Sequence, residues 1–188
     1  EDGVVITSFG DGAASVGDCH EGMNFATVQK LPLVIIIDNN QYAYKTLLKE
    51  QFACESLVLR APGYGMPGYL VDGTNALLMH KICGEALERA RAGEGPTLIE
   101  SVTIRAVGHS VYDKYSDYVD MELLNRWNEE RDPVKRLDAY LLAGGIATED
   151  EIGESHVRAR KEAEEAREEA LKMPFPDPEK VEDDVYAP

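Results

Sequence analysis

A carboxylate between two glycines, Gly10-Asp11-Gly12, and a pair of side-chain amides, Asn39-Asn40, each follow an apolar run: Val4-Val5-Ile6-Thr7-Ser8-Phe9 before the first, Leu33-Val34-Ile35-Ile36-Ile37 before the second. These residue types suit Mg²⁺ held together with a diphosphate. The ion takes hard oxygen ligands, usually one or two protein carboxylates, and completes its shell with waters and ligand phosphates. The glycines around Asp11 let the backbone come close to phosphate oxygens. A Gly-Asp-Gly taken alone is more often a plain turn after a strand than a site. The amide pair closing a second strand is what tilts the pattern towards a binding site.

Both runs are continuous and β-branched, as strands buried on both faces are. With a crossover helix over residues 17–30 they form a βαβ unit, and open α/β sheets place ligands at the carboxyl ends of their strands. The pattern goes on as a strand over 33–38, an irregular stretch with a short helix over 47–55, a strand over 69–72, a helix over 74–92 and a strand over 97–105. This alternation predicts an α/β fold with a mostly parallel sheet flanked by helices. The helix ending at Ala92 carries Ala76, Leu77, Met79, His80, Ile82, Cys83, Ala86, Leu87 and Ala90 at helical spacing, with His80 read as a packed histidine and Gly93 as the stop. Residues 106–120 form a loop long enough to be functional. Asp18, Cys19 and His20 are neighbours on a helix, point in different directions and make no triad. After Pro133 comes a helix to Leu142, a break at Gly144-Gly145, and a second helix opened by the Thr148/Glu151 capping box and running to about Met173. Its narrow, alanine-rich stripe (Ile152, Ala159, Ala163, Ala166, Ala170) reads as a peripheral helix with a solvated face. Met173 to Pro178 reads as extended. The domain reading is a binding domain over 1–145 and a C-terminal helix and tail over 146–188 packed on it.

The stretch GDGAASVGDCHEGMNFATVQKLPLVIIIDNNQYAY resembles the thiamin diphosphate signature of the α subunits of 2-oxo acid dehydrogenase E1 components. The likeness extends through Gly63-Tyr64-Gly65-Met66-Pro67-Gly68, Val71-Asp72-Gly73, Gly95-Pro96-Thr97-Leu98-Ile99-Glu100, Gly108-His109-Ser110 and Asp132-Pro133. By that resemblance the chain is the C-terminal portion of such a subunit, with a thiamin diphosphate-binding fold. Asp11, the Asn40 side chain and the Tyr42 backbone carbonyl would ligate Mg²⁺. Gly12 and Ala13 would offer backbone N–H groups to the diphosphate, helped by the positive end of the next helix. His109 would act at the diphosphate end of the cofactor or on the acyl acceptor, as the catalytic residue. Ser110 aligns with a serine phosphorylated in animal relatives, where phosphate would repel the diphosphate. One departure stands out: relatives commonly carry an arginine after the loop tyrosine, whereas Tyr118 is followed by Val119, with Lys114 the candidate substitute.

The resemblance implies oxidative decarboxylation of a 2-oxo acid with acyl transfer to a lipoylated E2 acyltransferase, and an E1 β subunit in an α2β2 heterotetramer. The stretch around His20 is closer to branched-chain 2-oxo acid dehydrogenases (3-methyl-2-oxobutanoate as substrate), with pyruvate or acetoin dehydrogenases the near alternative. A non-catalytic α/β interaction module is the alternative of another class.

Composition fits these expectations. The chain has 188 residues, 44% of them hydrophobic, enough for one sizeable core. A net charge of −16 disfavours nucleic acid and anionic membrane as partners. No apolar run approaches the roughly 20 residues of a membrane span. Three widely spaced cysteines, Cys19, Cys54 and Cys83, form no C-x-x-C pair and point to a reducing, cytoplasmic setting and away from a zinc site.

Overall fold

The computed structural model describes residues 3–183. Four parallel strands form the main sheet: β1 (Val5–Gly10), β2 (Leu33–Asn39), β5 (Gly68–Asp72) and β6 (Thr97–Val102), in spatial order β1-β2-β6-β5. A short antiparallel hairpin, β3 (Tyr42–Ala43) with β4 (Thr46–Leu47), follows β2. The α/β class and the parallel pairing are as the alternation predicts.

Residue parity in β2 sorts the core. Ile35 and Ile37 face one side with Leu98, Leu57, Ala61 and Met66, closed by Met23 of α1 (Gly17–Val28). Val34 faces the other side with Ile99 and Val71, closed by Ala86 of α3 (Ala76–Arg91). The two crossover helices thus cover opposite faces, and the short α2 (Ala61–Tyr64) completes the α1 side. α3 is capped by the Asn75 side chain on the Leu78 amide (3.1 Å) and stops before Gly93, whose φ of +72° is left-handed.

Two expectations need correction. Among the described residues β1 lies at the edge of the sheet and is not buried on both faces: Val5 is 62% exposed and Ile6 55%. A β-branched run is compatible with either position, because composition does not count a strand's neighbours. His80 is exposed, since α3 packs through Met79, Ile82, Cys83, Ala86 and Leu87, and His80 lies off that stripe.

Beyond the sheet, the loop after β6 leads into α4 (Met121–Glu130), capped by Asp120 on the Leu123 amide (3.0 Å), and then α5 (Pro133–Ala143). The chain divides into two compact units, residues 1–139 and 140–188. The second contains α6 (Glu149–Lys172), whose Thr148/Glu151 capping box forms as read and whose side chains are exposed apart from the partly covered Ile152. Among the described residues no helix is long and apolar enough to cross a membrane.

Candidate functional site

The carboxyl ends of β1 and β2 lie side by side, paired in register to Gly10 and Asp38. There the two sequence motifs meet on one atom: the Asp38 carbonyl accepts the backbone N–H of Asp11 (3.2 Å) and that of Asn40 (3.0 Å). The loops are also in direct contact. A Cβ on Gly12 would stand 2.6 Å from the Ala43 Cβ, so a glycine is required at this close approach.

Asp11 is 1% exposed. Burial pushes its carboxyl above the ordinary range, opposed by the hydrogen bond from Gln51 and a backbone amide; Asp38 adds to the rise and Arg105 counters it. Gln51 Nε2 donates to Asp11 Oδ2 (2.6 Å), while Gln51 Oε1 is buried and without a partner. Asp11 and Gln51 thus set a desolvated carboxylate beside a buried amide oxygen, hard oxygens of the kind Mg²⁺ takes.

The Asn39–Tyr42 turn carries the other oxygens. Asn40 Oδ1 accepts the Tyr42 N–H (3.3 Å), an Asx turn that leaves one lone pair, and Gln41 sits at φ +75°. Tyr42 is buried, its ring packed with Val119 and Leu124.

His109 is exposed and reaches this turn through Arg105. The guanidinium donates to the Tyr44 carbonyl (2.6 Å), the Tyr118 hydroxyl (2.9 Å) and, more weakly, the Tyr42 carbonyl (3.5 Å), and contacts His109 Nδ1 (3.5 Å). His109 packs against the Tyr44 ring, centroids 5.1 Å apart, and its N–H donates to Asp113 Oδ2 (2.9 Å). The Tyr118 hydroxyl donates to the same carboxylate oxygen. That bond holds the Asp113 carboxyl below its ordinary range, with further help from the His109 amide.

A family model described as "Dehydrogenase E1 component" matches residues 1–179. The chain belongs to the dehydrogenase E1 component family. Similar proteins include the 2-oxoisovalerate dehydrogenase subunit alpha of Bacillus subtilis, 40% identical over all of this chain and 56% of that protein. The 3-methyl-2-oxobutanoate dehydrogenase subunit alpha of Mycobacterium tuberculosis is 40% identical over 100% of this chain and 51% of its own length. The pyruvate dehydrogenase E1 component subunit alpha of Staphylococcus epidermidis is 42% identical over 89% of this chain and 45% of its own. The chain spans about half the length of the curated relatives it matches.

In this E1 family member Asp11, Gly12, Ala13, Asn40 and Tyr42 are gathered at the ends of two adjacent strands, with His109 on the loop tied to them. Lys114, the candidate substitute for a loop arginine, pairs within the loop with Asp117 (3.3 Å), Arg105 bonds the Tyr118 hydroxyl and Val119 packs beneath. His20 makes no triad; its Nδ1 pairs with the Tyr64 hydroxyl. Sequence reasoning missed Gln51, Arg105 and the role of Glu100. Gln51 carries no local signal, whereas Glu100 was detectable as the one carboxylate in an apolar strand.

Proposed function

We propose that the full-length protein is the α subunit of a thiamin diphosphate-dependent 2-oxo acid dehydrogenase, working with an E1 β subunit in an α2β2 heterotetramer and passing its acyl product to a lipoylated E2. The observation that carries this reading is the shared Asp38 carbonyl, which brings Asp11 and Asn40 to one point at the strand ends. Asp11, the Asn40 amide oxygen and the Tyr42 carbonyl would hold Mg²⁺, and the Gln51 amide steadies the Asp11 carboxylate. Gly12 and Ala13 would face the diphosphate. The cofactor supplies the electron sink for decarboxylation. The protein's share is to bind and orient the diphosphate, and, through the loop that Arg105 holds, to place His109 at its edge. Branched-chain 2-oxo acids are the favoured substrates because relatives named for them match the whole chain; the Staphylococcus relative keeps pyruvate as the second reading. Three cysteines, all free, suit a cytoplasmic enzyme.

The test is calorimetric titration of thiamin diphosphate, with and without Mg²⁺, into the full-length α chain copurified with its β partner, beside Asp11→Ala. Tight binding that needs both Mg²⁺ and Asp11 supports the site, and turnover of 3-methyl-2-oxobutanoate above pyruvate supports the substrate. Absence of binding to a folded complex would favour the non-catalytic module.

A further inference from the structure

Glu100 occupies a position where its neighbours are apolar. It lies in β6 on the face of Ile35, Ile37 and Leu98, and is 1% exposed. Three donors satisfy it: Asn39 Nδ2 (2.6 Å) and the Val58 N–H (2.7 Å), together with the Ser56 hydroxyl. Two of these fasten the 56–58 segment to the sheet. The third leads into the site. A carboxylate can only accept, so Asn39 must turn its NH₂ towards Glu100 and its Oδ1 away. That oxygen accepts both the Gln41 N–H (3.3 Å) and Gln41 Nε2 (3.0 Å). Gln41 is thereby held at φ +75°, a conformation that a non-glycine residue resists. The turn so fixed sets where the Asn40 amide and the Tyr42 carbonyl point.

The geometry points to Glu100 as a positioning residue for the metal-binding turn, acting through Asn39 and Gln41. The inference rests on the reading of Asp11, Asn40 and Tyr42 as Mg²⁺ ligands. Residues that orient metal ligands from behind typically change metal affinity by about 10–100-fold when mutated.

The test measures Mn²⁺ affinity by electron paramagnetic resonance, in the presence of thiamin diphosphate, on the full-length protein copurified with its β partner. Glu100→Gln and Asn39→Ala are each expected to raise the Mn²⁺ Kd about tenfold or more, and the double variant to do no worse than the poorer single, as members of one relay must. Ser56→Ala removes one of the two bonds that fasten the 56–58 segment and leaves the Asn39 bond to the other carboxylate oxygen, so it should lower the melting temperature while leaving the Kd within about twofold of wild type. Gln41→Ala removes the held end without touching the core and should raise the Kd severalfold; it decides the matter if the core variants fail to fold. Wild-type affinity in folded Glu100→Gln, Asn39→Ala or Gln41→Ala overturns the relay. Wild-type protein that binds no Mn²⁺ with the cofactor overturns the underlying site, a result distinguishable because it appears before any substitution is made.

Discussion

Gly12→Ala should damage the site by an amount the coordinates fix. The added methyl would sit 2.6 Å from the Ala43 Cβ, about 0.8 Å inside the 3.4 Å at which ordinary contact begins. Gly12 has an ordinary helical backbone (φ −62°, ψ −41°), so the whole cost is steric. Overpacking of this kind costs about 1–3 kcal/mol. Relief requires the Asp11 loop and the hairpin to part by most of an ångström, and a displacement of about 1 Å in a positioned constellation can cost about 100-fold. Gly12→Ala should therefore weaken Mg²⁺-dependent thiamin diphosphate binding by one to two orders of magnitude, with a lower melting temperature. The reasoning has a built-in rescue. The Ala43 Cα lies 3.5 Å from the new methyl, already ordinary contact, so Ala43→Gly in the same chain should restore most of the binding. It leaves only the roughly 0.5–1 kcal/mol that glycine costs in a strand. Calorimetric titration and thermal melts of wild type, both singles and the double on the copurified complex form the assay. A single variant that binds normally, or a double no better than Gly12→Ala, would refute the close approach as the cause.

Asp11 is a carboxylate whose folded-state pKa is raised, chiefly by burial, so its ionisation costs stability: the cost is absent below the ordinary value of about 3.9, grows as pH rises through the raised value, and is fully present above it. Asp11→Asn should stabilise the metal-free protein at pH values above the raised pKa while abolishing metal-dependent cofactor binding, read by urea unfolding and titration; a destabilised variant would contradict the burial argument. In wild type, Mg²⁺ affinity should begin to fall on acidification at a higher pH than an ordinary aspartate would give, followed by metal titration at successively lower pH. Arg105→Met removes the donor shared by Tyr44 and Tyr118 and should raise the rate of proteolysis within residues 106–120 severalfold, with melting temperature little changed. Asp72 is held below its ordinary pKa: partial burial opposes this, and hydrogen bonds from Thr74 and Arg136 (3.0 Å) outweigh it. Its stabilising share is present above the ordinary value and lost as pH falls through the depressed one. Arg136→Met should flatten that acid limb and cost less than about 1 kcal/mol at pH 7, the pair being partly exposed.

The strand–helix alternation, the parallel sheet and the placement of Asp11 and Asn40 at strand ends were legible because each follows from local pattern. What was not legible depends on contacts between distant segments. Gln51 reaches Asp11 across 40 positions, and Arg105 reaches the Tyr44 carbonyl across 61; no periodicity encodes either. The β3–β4 hairpin escaped notice because two-residue strands are too short for alternation to show. α4 went unread although Asp120 caps it and Leu124 buries against Tyr42, since the polar residues around it mask a narrow apolar face. The edge position of β1 was hidden for a different reason: strand order is a property of the assembled sheet.

That edge position bears on how the site should behave in solution. Among the described residues β1 is hydrogen-bonded to β2 alone, and it is the strand whose carboxyl end delivers Asp11. Strands tethered on one side open most readily, and their amides exchange with solvent by local fraying well short of global unfolding. Each opening that reaches Gly10 carries the buried carboxylate away from the Asp38 carbonyl and from Asn40. Amide exchange along Val5–Gly10 is therefore a direct gauge of how much of the time the carboxylate is in place. A surface that came to lie against the side of β1 away from β2 would hold the Asp11 carboxylate in place more of the time without touching it.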